Sequence, residues 1–217
     1  MKIFLDFDDS LFDTKRFVSK LVEIFLKNGV SKNDFFATYR DYPQKTVRGL
    51  QKYDPCRQIK YLESSIGVCG EKIKSDLENF VSDTSRYVFR DVDSFFSNFR
   101  RNNLYIVSFG HTGFQEKKIK NSGLRKRIRN IAVTDRSKAE IIKRFANGKE
   151  KFVFIDDRTD QIRSVKKYFP NSATFLLKRK EGRYNSKKTK AVDFEVKNLT
   201  EAKKIIKKIC DVESKKR

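Results

Sequence analysis

Tryptophan is absent from this 217-residue chain, and histidine and cysteine are scarce, with one and three copies. Cys56, Cys69 and Cys210 are odd in number and lack the paired spacing of a metal site, which excludes a disulfide framework and leaves them as reduced, structural residues. Long apolar runs are missing as well. None approaches the roughly 18 residues that a membrane span needs. The N-terminus reads as a strand, without the basic start and small-residue cleavage site of a signal peptide, so the expected setting is cytoplasmic with no membrane partner. No P-loop and no Gly-x-Gly-x-x-Gly stretch occurs, which argues against ATP-driven and dinucleotide chemistry.

Acidic residues are outnumbered by basic ones, 28 to 50, for a formal charge of +22. A field of that size attracts phosphorylated or nucleic-acid ligands. The lysines are spread over every segment, without any recognisable nucleic-acid module, so compositional bias is the favoured explanation and nucleic acid the less favoured partner. The densest basic run, Lys178 to Lys190, carries Gly182 and Asn185 and reads as a mobile loop. With 38% hydrophobic residues and 20 phenylalanines, the chain has material for a sizeable core.

Periodicity divides the chain. Residues 2–5 form a short apolar strand. From Thr14 to about Arg90 the spacing is helical: Phe17, Leu21, Ile24 and Phe25 before Gly29, a short helix from Asp34 to Tyr42, and Asp54-Pro55 opening a helix that ends near Gly67. Ile73, Leu77 and Val81 continue the pattern. From Asp91 helices and strands alternate, with strands at 104–107, 131–133, 151–155, 173–177 and 194–196 and helices at about 92–101, 114–122, 137–146, 157–168 and 200–210. This βαβ series predicts an α/β fold, a doubly wound parallel sheet of Rossmann-like type. About 100 residues separate the first strand from the second, far more than a simple crossover needs. The expected organisation is a core of residues 1–14 and 91–217 with an inserted all-α cap at 15–90 over the carboxyl edge of the sheet.

The strand ends carry the chemistry. The first runs into Asp6-Phe7-Asp8-Asp9, the second into Ser108-Phe109-Gly110-His111, the fourth into Asp156-Asp157. In a parallel sheet these ends point the same way, so groups about 150 residues apart converge on one crevice. Two crowded carboxylates raise a pKa unless a cation joins them, and hard oxygen ligands suit Mg²⁺. A calcium loop is excluded, because Leu11 and Phe17 stand where it needs Gly and Glu. Taken singly, each residue has a plain alternative: Asp156 and Asp157 as helix caps, Ser108 as a turn residue, Lys138 as one more solvated lysine. Their order on successive elements favours a site.

These motifs resemble those of the haloacid-dehalogenase-like (HAD) hydrolases: Asp6-Phe7-Asp8 after strand one, Ser108 after strand two, Lys138 on a later helix and the pair Asp156-Asp157 after strand four. The resemblance implies a Mg²⁺-dependent phosphatase acting on a small phosphorylated metabolite. Asp6 would be the nucleophile and Asp8 the general acid and base. Ser108, with the adjoining Phe109 and Gly110, and Lys138 would bind the phosphoryl group. Asp6, the backbone carbonyl of Asp8 and Asp156 would hold the metal, with Asp157 or Asp160 in support. Dehalogenating relatives lack the second acid, since halide leaves without a proton; a phosphomutase would use the same residues. A nucleic-acid-associated protein built on the same core is the alternative reading. His111 and the cap's basic residues, Lys15, Arg16, Arg40, Lys45, Arg48 and Lys52, are candidates to meet an anionic substrate.

Overall fold

The structure is a computed structural model that describes residues 1–40 and 53–214. Its organising element is β1 (Lys2–Leu5), four residues long and central in a six-stranded sheet of order β3-β2-β1-β4-β5-β6 in which every pairing is parallel. The partners are β2 (Leu104–Phe109), β3 (Asn130–Thr134), β4 (Phe152–Asp156), β5 (Ala173–Leu177) and β6 (Phe194–Val196). A parallel sheet with helices on both faces buries both sides of its central strands, which is why these segments are nearly continuous apolar runs. On one face Ile3 and Leu5 join Ile106, Val153, Ile155 and Phe175. On the other Phe4 packs with Tyr105, Phe152 and Phe154. Phe4 lies 4.7 Å from the Tyr105 ring and 5.0 Å from that of Phe152. Each such buried side chain contributes roughly 1.5–3 kcal/mol.

Between β1 and β2 come α1 (Thr14–Lys27), α2 (Lys32–Arg40), α3 (Pro55–Ile66), α4 (Gly70–Val81) and the short α5 (Asp91–Phe96). The cap expected at Asp54-Pro55 is formed, and Asp13 caps α1 as well. The Asp13 carboxylate accepts from the backbone N–H of Arg16 at 2.9 Å, and Asp54 accepts from that of Cys56 at 3.0 Å with Pro55 at the first helical position. Each cap is worth about 1 kcal/mol. Gly67 ends α3 in the left-handed region, φ +70. The apolar faces of α1, α3 and α4 join the same interior as the sheet face carrying Ile3 and Leu5. The remaining helices are α6 (Thr112–Asn121), α7 (Lys138–Ile142), α8 (Thr159–Tyr168) and α9 (Leu199–Ser214).

Three expectations change. α5 stops at Phe96 and is followed by a 3-10 turn at Arg101–Asn103, so the helix foreseen to residue 101 is broken. α7 ends at Ile142, four residues short of the length its periodicity suggested. The basic run after β5 is anchored: Arg179 donates to the carbonyl of Ser10 at 2.9 Å and to Asp91 at 2.8 Å, and Arg183 donates to Asp9 at 2.7 Å. Its arginines find acceptors across the fold. The helix expected over residues 34–42 is observed to Arg40; positions 41 and 42 lie outside the described residues. No helix among the described residues is long and apolar enough to cross a membrane.

Candidate active site

The sheet order reverses at β1, with β2 and β3 on one side and β4 to β6 on the other, and the crevice at such a switch point is where open α/β sheets bind ligands. Register brings the acids together there. Leu5 pairs with both Ile106 and Ile155, so the next position of β1, Asp6, stands level with Asp156, and the Asp6 N–H continues the ladder to the carbonyl of Ile155 at 2.9 Å. After Asp6 the extended backbone ends. Leu11 and Phe12 both donate to the carbonyl of Phe7, folding residues 7–12 into a tight turn in which Asp9 takes φ 56. Asp is among the few residues other than Gly that visit this region routinely.

The turn separates the two acids of the Asp-x-Asp motif into different partnerships. Oxygens of Asp6, Asp156 and Asp157 all lie within 4.8 Å of one another, and all three residues are buried. Lys138 reaches between them, its Nζ 2.5 Å from Asp6 and 2.6 Å from Asp156. Burial raises the Asp6 carboxyl to about 7; Lys138 opposes the rise and the neighbouring Asp156 adds to it. Burial, then the charges of Asp156 and Asp6, hold Asp157 well above the ordinary carboxylate range. Burial alone would lower Lys138, but Asp156 and Asp6 outweigh it and raise it.

Asp8 belongs to a second cluster. Its carboxylate accepts from Lys118 Nζ at 2.6 Å, Thr14 Oγ1 at 2.7 Å and Gln115 Nε2 at 2.6 Å. Burial would raise this acid, yet Lys118 and Arg183, with the hydrogen bonds of Lys118 and Thr14, hold it at about 2. The buried ammonium of Lys118 also lies 5.1–5.4 Å from the ring centres of Phe7, Phe12 and Phe17, a cation–π setting. Gln115 Nε2 also donates to Ser108 Oγ at 2.7 Å, linking the end of β2 to Asp8.

Of the residues singled out in the sequence, Asp6, Lys138, Asp156 and Asp157 meet in one cluster. Ser108 is joined to Asp8 beside it, and Phe109, Gly110 and His111 line the same cavity of about 360 Å³. The Asp8 carboxylate stands outside the three-acid group; only its backbone carbonyl had been assigned to a metal. Asp160, the other candidate support, is not in the three-acid group and pairs with Arg158 at 3.0 Å, so Asp157 is the fourth-strand acid that joins the cluster. His111 lies 3.7 Å from Asp54. Lys15 and Arg16 are exposed and do not line the cavity, while Lys45, Arg48 and Lys52 lie outside the described residues. The cavity's cations are Lys118, Lys138, Arg158 and Arg183 among the described residues. Sequence reasoning missed Thr14, Gln115, Lys118 and Arg183. A signal existed for two of these: Gln115 and Lys118 are three apart, on the buried side of α6 with Ile119, where a solvated lysine does not belong.

By sequence, no family model and no curated protein matches the chain. Solved structures do match it. A candidate haloacid dehalogenase-like hydrolase of Burkholderia xenovorans superposes with a TM-score of 0.73 at 17% identity, over 93% of this chain and 94% of that one. The chain has the HAD-like fold. The L-2-haloacid dehalogenase of Xanthobacter autotrophicus shares this HAD-like architecture with a TM-score of 0.64 at 12% identity, over 95% of this chain and 98% of that one. So does the candidate HAD-hydrolase YfnB of Bacillus subtilis, whose structure is bound to magnesium, with a TM-score of 0.59 at 14% identity over 94% and 97%. The fold expected from the four motifs is therefore present.

The atoms of the three-acid cluster fit a divalent cation. Three buried carboxylates face a single ammonium, which leaves two negative charges uncompensated when all are ionised. Asp157 Oδ2 is buried without a hydrogen-bond partner among the described residues. A hard dication with oxygen ligands satisfies both conditions.

Proposed function

We propose that the protein is a Mg²⁺-dependent phosphatase that hydrolyses a small phosphorylated substrate through a covalent aspartyl-phosphate, with residues 15–90 serving as the cap. The observation that carries this reading is the pairing of the two clusters in one cavity: a nucleophile set against further acids and a lysine, and a second acid held beside it. Mg²⁺, held by Asp6, Asp156 and Asp157, would supply positive charge to the phosphoryl oxygens. An Asp6 oxygen attacks phosphorus as the ester P–O bond breaks, dividing one hard hydrolysis into two easier steps. Lys138 limits the repulsion between this carboxylate and the phosphoryl group. Ser108 Oγ accepts from Gln115, which leaves its hydroxyl hydrogen to donate to a phosphoryl oxygen.

The proton count follows from Asp8. It is ionised before substrate arrives, so the proton for the departing alcohol enters with the phosphate monoester, whose second ionisation lies near pH 6. Asp8 passes it to the leaving oxygen. In the second step Asp8 takes a proton from water as that water attacks phosphorus, and Asp6 is released. Dehalogenation, the activity named for some of the fold's solved relatives, needs neither a proton for the leaving group nor a net negative cluster that calls for a cation. The test is phosphate release from a panel of phosphomonoesters with Mg²⁺ or EDTA, beside halide release from 2-chloropropionate. Metal-dependent phosphate release that Asp6→Asn abolishes is expected; halide release without phosphate release overturns the reading.

A further inference from the structure

The cavity is lined by charged and aromatic side chains together. Among its described lining residues the carboxylates and Lys138 gather at the sheet edge, whereas Phe17, Val18, Leu21, Tyr39, Tyr53 and Phe114 form the wall supplied by α1, the α2 and α3 region and α6. The rings of that wall touch in sequence. Tyr39 and Tyr53 have centroids 4.5 Å apart, Tyr53 and Phe114 5.5 Å with planes at 84°, and Phe114 and Phe17 6.4 Å. From these observations we propose that the departing alcohol carries a flat aromatic ring, making the substrate a phosphomonoester of a ring-bearing alcohol such as a nucleoside. The proposal rests on the phosphatase reading and adds the substrate class.

The orientation of the wall supports it. Tyr53 points its hydroxyl at Gln58, donating to Oε1 at 2.7 Å, and the Gln58 amide is held by the Phe35 carbonyl at 3.1 Å and Thr38 Oγ1 at 2.9 Å. This tyrosine's polar end is thereby satisfied by protein, and the residue lines the cavity. Tyr39 is fixed from behind by stacking on Phe35, centroids 5.4 Å apart and planes at 18°. Rings held in this way form a stacking surface whose ordering cost was met on folding. A bare sugar phosphate gains nothing from stacking, whereas every nucleobase presents a π-face. A volume of about 360 Å³ suits one small phosphate ester.

The experiment compares kcat/KM for phosphate release, with Mg²⁺, from UMP, AMP, pyridoxal 5′-phosphate, ribose 5-phosphate and glycerol 3-phosphate. The ring-bearing esters are expected to exceed ribose 5-phosphate by about ten-fold or more, within the range for stacking one base on aromatic side chains. UMP and AMP against pyridoxal 5′-phosphate separates a nucleoside from another ring. Tyr53→Ala and Phe114→Ala are expected to shrink the ratio of UMP to ribose 5-phosphate, and Tyr53→Phe to keep it. Inhibition of the unaltered protein by uridine but not ribose gives the same answer without a variant. Equal turnover of UMP and ribose 5-phosphate overturns this inference and leaves the phosphatase standing; no release from any ester overturns both. A ring preference indifferent to both alanine variants overturns the assignment of the wall.

Discussion

Replacing Lys138 by Met removes the one cation that meets the three-acid cluster among the described residues while keeping most of the side chain's volume. Lys138 is 2% exposed and touches Asp6 and Asp156 at 2.5 and 2.6 Å, so the substitution strands buried carboxylates. Breaking a buried ion pair from one side costs about 3–5 kcal/mol. The loss depends on pH in a direction the Asp6 carboxyl dictates. Its folded-state pKa is raised, from 3.8 to about 7, so its contribution to stability is complete below the unfolded value and disappears as pH rises through 7. That shift corresponds to on the order of 4 kcal/mol withdrawn between about pH 4 and pH 8. Without Lys138 the carboxyl is harder still to ionise, and the variant should suffer most at high pH. Mg²⁺ replaces the missing charge, and saturation at 100 times its dissociation constant returns about 2.7 kcal/mol. The assay is urea unfolding of both proteins at pH 5 and pH 8, in EDTA and in Mg²⁺. The largest difference between them is expected at pH 8 in EDTA. Equal destabilisation in all four conditions would show that Lys138 acts through packing alone and would refute the charge argument.

Other outcomes follow from the same structure. Since burial raises both Asp6 and Asp157 in the absence of metal, Mg²⁺ binding should release protons at pH 6, with affinity weakening as pH falls; calorimetry in buffers of different ionisation enthalpy reads the release. Asp9 holds φ 56 and ties down Arg183, so Asp9→Ala should lower stability more than Asp9→Asn by about 1 kcal/mol, because an alanine Cβ is strained in the left-handed region. Phe4→Ala, at a fully buried position against Tyr105 and Phe152, should cost about 3–5 kcal/mol in chemical denaturation.

The strands and helices were legible because their signals are local. Apolar runs at 104–107 and 151–155 need both faces covered whatever covers them, and Asp54-Pro55 starts a helix by its own backbone chemistry. The lengths of α5 and α7 were less legible: periodicity marks a buried face but not the residue at which hydrogen bonding stops. Asp6, Ser108, Lys138 and Asp156 were legible as a set because parallel strands deliver their ends to one edge, so chain order stands in for position.

What the sequence determined alone, then, is the sheet, its helices and the first tier of acids at the strand ends. Tertiary structure decided the charges' partners. Lys118 meets Asp8 across 110 residues and Arg183 meets Asp9 across 174; Lys118 is marked only by its place on the buried side of α6, and nothing near Arg183 marks it among 50 lysines and arginines. The turn after Asp6, which sends one acid to Lys138 and the next to Lys118, likewise depends on the backbone closing upon Phe7. Burial is the physical reason. A carboxylate in water is indifferent to which cation is nearby, whereas one removed from water must find a partner that the whole fold has brought within reach.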